Sequence, residues 1–553
     1  MSSPFSVVPK RWACWVTIIF TVIIAGLLLE SCRTGSDGFD ELVTIPDPLP
    51  QDPQVEVFFN YNQAKRYSDP YRQIERPGDN LEAEIIRAIA SAARSIEVAV
   101  QEFRLPEVAH ALVERQQAGV EVRVVIENTY SRPWSTVTPA EAAELDARDR
   151  GQYEEAQALL DVDSNGTVTA AEIAQRDALV ILQAAGVPLL DDTADGSKGS
   201  GLMHHKFLVV DGETVLVTSA NFTTSGIHGD FANPNSRGNA NNLLKIHSPE
   251  LAGYFRDEFA LLWGDGPGST IDSRFGTQKP SRAPVKIPVG DGAIALHFSP
   301  NSPTEPWEAS SNGAIARALD TATESIDLAL FVFSEQRLAD AIEARAQVGT
   351  VVRALIDPGF AYRYYSEGLD LLGVAVARNC EFEAENNPWA KPITEVGVPA
   401  LARGDKLHHK FALIDDRRIV TGSHNWSPSA NYQNDETVLI VDNLTVARHF
   451  RREFDRLYTS AATGVPSRVT EKIVAQETDC AQLTTRGEQP TGPLDLNRAS
   501  VAELETLPGI GPELAERIAI TRQERPFTSL EDLQRVSGIG PNKAEALQGL
   551  VSW

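Results

Sequence analysis

Two short segments place an imidazole and an ammonium group two residues apart: His204-His205-Lys206-Phe207-Leu208-Val209-Val210-Asp211 and His408-His409-Lys410-Phe411-Ala412-Leu413-Ile414-Asp415. Six residues after each comes a polar quartet, Thr218-Ser219-Ala220-Asn221 and Gly422-Ser423-His424-Asn425. The apolar tails predict strands, and in a strand alternate side chains share a face, so His204 projects with Lys206 and His408 with Lys410. Asp211-Gly212 and Asp415-Asp416 read as turns that send the chain back, bringing Ser219, Asn221, Ser423 and Asn425 near the first strand's end. This collection suits phosphoryl transfer without a metal. One imidazole attacks phosphorus, the lysines and polar donors hold the non-bridging oxygens, and the second imidazole protonates the leaving oxygen. A lone His-x-Lys-x4-Asp is as readily an incidental half-buried strand; two copies with the same trailing Ser-x-Asn point to one shared site.

The elements that must carry these residues repeat as well. Ile86–Val100 matches Ile315–Leu330 as a helix followed by a strand, with Ala93-Arg94-Ser95-Ile96 against Thr323-Glu324-Ser325-Ile326. Leu105–Gly119 and Leu338–Gly349 have helical apolar spacing, and Val120–Ile126 and Val351–Ile356 are β-branched runs suited to buried strands. Strand and helix alternate, which predicts an α/β sandwich with a largely parallel sheet. Ser95 to His204 spans 109 positions and Ser325 to His408 spans 83, so the first copy carries an insertion of 26 residues before its motif.

The paired motifs resemble the HKD motifs of the phospholipase D superfamily, and Gly422-Ser423-x-Asn425 matches that family's trailing signature. The resemblance covers about 54–460. It implies a two-lobed pseudo-twofold molecule, a phosphohistidine intermediate and no catalytic metal, with His204, Lys206, Asp211, His408, Lys410 and Asp415 as the catalytic set. By family order His204 is the nucleophile and His408 the acid, then the base. The acidic residue that orients the histidine in such proteins corresponds to Glu436 in the second copy, whereas alignment of Phe255 with Phe450 places Asn241 there in the first. Thr218 likewise stands where the family has glycine. These departures make the halves unequal and leave open the alternative that Glu436 makes His408 the stronger nucleophile.

Within the insertion, Asp161-Val162-Asp163-Ser164-Asn165-Gly166-Thr167-Val168-Thr169-Ala170-Ala171-Glu172 follows the EF-hand calcium pattern, with helical compositions on either side. Asp161, Asp163, Asn165, Thr167 and Glu172 are the expected Ca²⁺ ligands, in a structural or regulatory role; an acidic loop between solvated helices is the plainer alternative. At the C-terminus, Leu507-Pro508-Gly509-Ile510-Gly511-Pro512 and Val536-Ser537-Gly538-Ile539-Gly540-Pro541 resemble tandem helix-hairpin-helix modules of competence-type DNA receptors. The resemblance implies contact of Gly509, Gly511, Gly538 and Gly540 with DNA phosphates through bare backbone N–H groups. Against it, residues 493–553 hold six Lys or Arg and nine Asp or Glu.

Lys10-Arg11 precedes the uncharged stretch Trp12–Leu29, and Leu29-Glu30-Ser31-Cys32 resembles a lipobox with Glu30 in place of a small residue. Export is expected, with the chain held at the outer face of the cytoplasmic membrane or at the outer membrane, either as a lipoprotein or by an uncleaved N-terminal helix. Cys380 and Cys480 are then candidates for a disulfide. A net charge of −26 excludes whole-surface attraction to polyanions, so any such site must be local.

The expected order is an anchor (1–32), linker (33–53), first phospholipase D-like repeat (54–265, with insertion 139–186), linker (266–290), second repeat (291–460), linker (461–492) and tandem helix-hairpin-helix (493–553). The fold class expected is α/β: two pseudo-twofold-related lobes, an EF-hand helical insertion and a small all-α C-terminal domain. The functions weighed are a phosphodiesterase acting on DNA, a phospholipase D releasing lipid headgroups, and a catalytically idle DNA-binding scaffold. The expected enzyme is monomeric with an intramolecular two-lobed site, and its substrate is DNA or phospholipid.

Overall fold

Both His-x-Lys segments become central strands of large sheets in the computed structural model, which describes residues 45–193, 201–268, 272–480, 484–485, 493–499, 501–504 and 507–553. The chain divides into two units, Met1–Pro48 and Leu49–Trp553, and the second carries every strand and helix named below. The predicted anchor and lipobox lie outside the described residues; among the described residues no helix is long and apolar enough to cross a membrane.

The first sheet contains β1 (Val55–Phe59), β2 (Ser95–Val100), β3 (Glu121–Ile126), β4 (Leu189–Asp191), β5 (Lys206–Val210), β6 (Thr214–Thr218) and β7 (Asn242–His247), in the order β1-β7-β6-β5-β2-β3-β4. The second contains β8 (Val285–Val289), β9 (Gly292–Ser299), β10 (Ser325–Leu330), β11 (Val351–Ile356), β12 (Val396–Val398), β13 (Lys410–Ile414), β14 (Arg418–Gly422), β15 (Glu436–Asp442) and β16 (Ala462–Thr463), in the order β8-β9-β15-β14-β13-β10-β11-β12-β16. The expectation of a largely parallel sheet is corrected. Within these two sheets only β2-β3-β4 and β10-β11-β12 pair in parallel; their other pairings are antiparallel. The reason is local. Each motif strand turns straight back through Asp211-Gly212 or Asp415-Asp416, residues with φ near +50° to +65°, so the motif half of each sheet is built from tight hairpins.

Helices α1 (Leu81–Ala90) and α2 (Pro106–Gln117) flank the first sheet. Asn80 caps α1 by accepting from the Ala83 amide at 3.0 Å, and Leu81, Ile85, Ala88 and Ile89 form its buried stripe. The insertion supplies α3 (Ala147–Leu160) and α4 (Ala170–Arg176), one on each side of the acidic loop. The first half closes with α5 (Pro249–Trp263). The second half repeats the pattern with α6 (Ser311–Leu319), α7 (Gln336–Gln347) and α8 (Leu444–Thr459). One apolar core joins the halves through α5 and α8, where Phe255 meets Phe207 and Phe450 meets Phe411, each with ring centroids 5.0 Å apart.

Two stretches read as linkers contain structure. Strand β8 falls within 266–290, and the helix Ser467–Asp479 within 461–492. That helix ends at Cys480, which forms a disulfide with Cys380. The C-terminal segment packs α9 (Pro512–Glu524) with the short helices Val501–Leu504, Leu530–Leu533 and Pro541–Ala546 around their own core. It is helical except for Leu494–Asp495, which pairs in parallel with Val551–Ser552 and ties its ends together.

Candidate active site

Each motif histidine sits just before its strand, and the strand register puts the lysine beneath it. The main chain crosses between halves here: the His204 amide donates to Asp435 O at 3.0 Å, and the His408 amide to Ala240 O at 3.1 Å. The side chains follow the same exchange. His204 Nδ1 lies 2.7 Å from Glu436 Oε2, at the start of β15 in the other half. His408 Nδ1 lies 3.0 Å from Asn241 Oδ1, just before β7 in the first half. Glu436 therefore does not orient the histidine of its own repeat, which removes the ground for expecting it to strengthen His408 as nucleophile.

The serines complete this arrangement one layer back. Ser423 Oγ donates to Glu436 Oε2 at 2.7 Å and accepts from the Thr437 amide at 3.0 Å. Ser219 Oγ donates to Asn241 Oδ1 at 2.7 Å and accepts from the Asn242 amide at 3.1 Å. Both hydroxyl hydrogens are committed, so the expectation that Ser219 and Ser423 hold substrate phosphate is corrected; they position the groups that position the histidines. Asn221 and Asn425 are half-buried, and their enclosed amide oxygens receive no hydrogen bond among the described residues. An amide oxygen only accepts, so it is through Nδ2 that either residue can donate to a phosphate.

Asp211 and Asp415 stand at the far ends of β5 and β13. Asp211 accepts the amides of Ala93, Arg94 and Ser95, and Asp415 those of Thr323, Glu324 and Ser325, at 2.6–3.2 Å. Their catalytic assignment is corrected: a five-residue strand separates each carboxylate from its histidine, and its acceptor sites are spent on the loop that begins the neighbouring strand. The Thr218 departure also has a cause. Gly422 has φ +132°, with the Thr437 carbonyl where a Cβ would sit, whereas Thr218 has no such conformation and donates Oγ1 to Asn242 O at 2.6 Å.

Lys206 Nζ donates to His204 O at 2.9 Å and Gln101 Oε1 at 3.2 Å, and Lys410 Nζ donates to His408 O at 2.7 Å. Both lysines are 1% exposed. Burial, with the neighbouring Lys206 and Lys410 ammonium groups, holds His204 and His408 well below the usual imidazole range. Burial brings Lys206 down to about 7 despite Glu436 and Glu102, and burial with Lys206 nearby lowers Lys410. Burial raises Glu436, opposed by His424, Lys206 and the hydrogen bonds from Ser423 and Asn434. A neutral His204 donating Nδ1–H to the Glu436 carboxylate fits this geometry and leaves Nε2 with a free lone pair.

Several supporting residues were missed in the sequence. His205 Nε2 bonds Glu258 at 2.8 Å and Nδ1 bonds Thr437 Oγ1 at 2.9 Å; His409 Nε2 bonds Glu453 at 3.1 Å and Nδ1 meets Asn242 Nδ2 at 3.1 Å. The signal was present as a second repeat, Phe255-Arg256-Asp257-Glu258-Phe259 against Phe450-Arg451-Arg452-Glu453-Phe454.

In the insertion, carboxylate oxygens of Asp161, Asp163 and Glu172 lie within 4.8 Å of one another. Asn165 Oδ1 accepts the Thr167 amide at 2.8 Å, and Gly166 has φ +81°. All these donors are hard oxygens, which fits a cation such as Ca²⁺. At the C-terminus, Gly511, Gly538 and Gly540 are exposed and Gly509 half-buried, while Ile510 and Ile539 anchor each hairpin in the core. Gly509 and Gly538 have φ of +75° and +97°, which favours glycine.

A family model described as the cardiolipin synthase, PLD-like domain matches residues 85–263 and 315–458, and a helix-hairpin-helix motif model matches 490–552. The mitochondrial cardiolipin hydrolase of Mus musculus is 30% identical over 155 residues, covering 28% of this chain and 60% of that protein. Its Homo sapiens counterpart is 32% identical over 146 residues, covering 26% and 49%. A deoxyribonuclease of Thioalkalivibrio sp. (strain K90mix) is 43% identical over 61 residues, covering 11% and 16%. The chain thus spans about half to three fifths of these cardiolipin hydrolases. Among solved structures, the phosphatidylserine synthase of Haemophilus influenzae Rd KW20 aligns with a TM-score of 0.46 at 14% identity, over 79% of this chain and 97% of that one. The matched segments make up more than half of the chain and contain both His-x-Lys motifs, and the chain belongs to the phospholipase D-like family of the cardiolipin synthase type.

Proposed function

We propose that this protein is a phosphodiester hydrolase that uses His204 as nucleophile and acts on DNA. The observation carrying the first part is the unequal pairing of the histidines: a carboxylate backs His204 and a neutral amide backs His408. A carboxylate stabilises the positive charge that develops on the ring as its Nε2 bonds phosphorus. As that bond forms, the P–O bond to the leaving group breaks, and His408, neutral in the free protein but charged to the imidazolium when the phosphate anion binds, keeps Nδ1–H on Asn241 and gives its Nε2 proton to the departing oxygen. Water then attacks phosphorus, His408 takes its proton, and the P–N bond breaks to free His204. Lys206, Lys410, Asn221 and Asn425 hold the non-bridging oxygens. These residues supply nucleophile, acid and charge stabilisation from the chain itself, and the reading routes no step through a metal.

The DNA assignment rests on the helix-hairpin-helix segment. Gly511 and Gly540 are exposed with open space beside them for close backbone approach, and a basic side chain stands at each hairpin: Lys543 next to Gly509 and Arg517 next to Gly538. Basic groups are therefore local to the hairpins although the segment as a whole is acidic. Named relatives favour the second reading, hydrolysis of a phospholipid such as cardiolipin. Purified protein incubated with plasmid and, separately, with cardiolipin vesicles, each in EDTA and in calcium, decides between them. Cleavage of plasmid that persists in EDTA is expected; turnover of vesicles alone would overturn the DNA reading.

The Asp161–Glu172 loop is proposed to bind Ca²⁺ structurally, through Asp161, Asp163, Asn165, the Thr167 carbonyl and Glu172. The thermal midpoint should fall on chelation, and an unchanged midpoint would contradict this. Residency at the outer face of a membrane through the N-terminal segment is proposed on the sequence alone.

A further inference from the structure

We infer that a groove lined by arginines along α8 carries the polynucleotide backbone away from the catalytic pair. It is a cavity of about 780 Å³ where Arg237, Arg448, Arg451, Arg452 and Arg456 converge with Tyr61. In a chain of net charge −26, five arginines against a single lining aspartate, Asp455, form a local inversion of sign. That aspartate is engaged by Arg353 and Arg451 at 3.7 and 3.5 Å.

The arginines are not equivalent. Arg456 is held by Glu453 at 2.6 Å with its guanidinium over the Tyr61 ring, and Arg451 is paired with Asp327 and Asp416. Arg237 and Arg448 are exposed, and no carboxylate among the described residues lies within ion-pair distance of either. Cations left unpaired beside a concave wall suit an anionic ligand better than they suit the fold.

The groove is built on the chain segments that carry the site. Tyr61 Oη donates to the Asp405 carboxylate at 2.8 Å, and the Arg237 amide donates to the same carboxylate at 2.8 Å. Four residues beyond Arg237 is Asn241, the partner of His408, and three beyond Asp405 is His408 itself. Asn60, next to Tyr61, accepts the Asn241 amide at 2.9 Å. Along α8 the wall runs from Thr459, past Arg456 on the Tyr61 ring, back to Arg448, about 17 Å at the helical rise. The lining stops short of His204 and His408 and is joined to them through Arg237 and Asp405, so in this inference it receives the phosphates that neighbour the one being cleaved, with the Thr459 and Ser460 hydroxyls beside them.

The inference rests on the DNA reading, and the test separates the two. Wild type and the double variant Arg237→Glu/Arg448→Glu are compared on bis(p-nitrophenyl) phosphate, on single-stranded oligonucleotides of about 4 and 20 nucleotides, and on cardiolipin vesicles. Neither residue touches the reacting atoms, so turnover of the small diester should be unchanged. For the long oligonucleotide KM should rise about tenfold, and the slope of log affinity against log salt should flatten by about two. Wild type that prefers the long oligonucleotide, with a variant that keeps that preference and the full salt slope, would overturn the groove and leave the DNA reading standing. Wild type that turns over vesicles and no oligonucleotide would overturn both.

Discussion

At the scale of single residues, the chemistry depends on an exchange between halves. The His-x-Lys-x4-Asp spacing made His204, Lys206, His408 and Lys410 legible, because a strand's period of two dictates which side chains project together. Spacing does not show which partner each imidazole meets, since Glu436 is 232 positions from His204 and the pairing depends on how the halves dock. The same holds for the serines, whose hydroxyls face Glu436 and Asn241 rather than a substrate. Glu436→Gln should lower kcat about a hundredfold with KM little changed, because the amide keeps the hydrogen bond and loses the charge felt in the transition state. A large rise in KM at constant kcat would instead mark Glu436 as a ground-state binding group.

The buried lysines give a pH signature. Lys206 titrates near 7 in the free protein because burial disfavours its ammonium form, and phosphate binding needs that form. Beyond the fall that loss of the His408 proton produces at lower pH, kcat/KM should therefore fall further as pH rises through about 7, since it reports the free enzyme. In the complex the phosphate favours the ammonium form, so kcat should fall only at a higher pH. Profiles of kcat and kcat/KM that decline together, measured on a small diester, would contradict this.

At the scale of elements, α1 and α6 and the strands that follow them were readable from apolar periodicity, and the acidic loop with its flanking helices from composition. The direction of pairing was not, because β-branched runs look alike in parallel and antiparallel neighbours. The Asp-Gly turn after β5 carried the answer: a hairpin forces its strands antiparallel. The last motif residue belongs to this scale. Asp211 fastens β5 to the loop opening β2, so Asp211→Asn should cost about 1–2 kcal/mol of stability, with kcat per folded molecule retained. Paired denaturation and active-site titration check this; a loss of kcat without destabilisation would return Asp211 to the catalytic set.

At the scale of the molecule, one core spans both sheets, and the two halves exchange backbone and side-chain partners at their shared edge. Neither half holds a complete site. The first contributes His204 and the amide for His408; the second contributes His408 and the carboxylate for His204. The repeat was legible because two copies of one pattern stand in one chain. The connectors were less so: β8 is a five-residue strand held by a tight hairpin to β9, and the helix Ser467–Asp479 is held by the bonds between Gln476 and Ala377 and by the disulfide between Cys380 and Cys480.

The most direct test is to quench a reaction on a phosphate-labelled diester with acid-free denaturant during steady turnover and map the label by peptide mass analysis. Phosphate bonded to His204, lost in His204→Ala and accumulating when His408 is replaced by alanine, is the predicted result. Label on His408, or turnover with no labelled histidine in either variant or the wild type, would contradict the account.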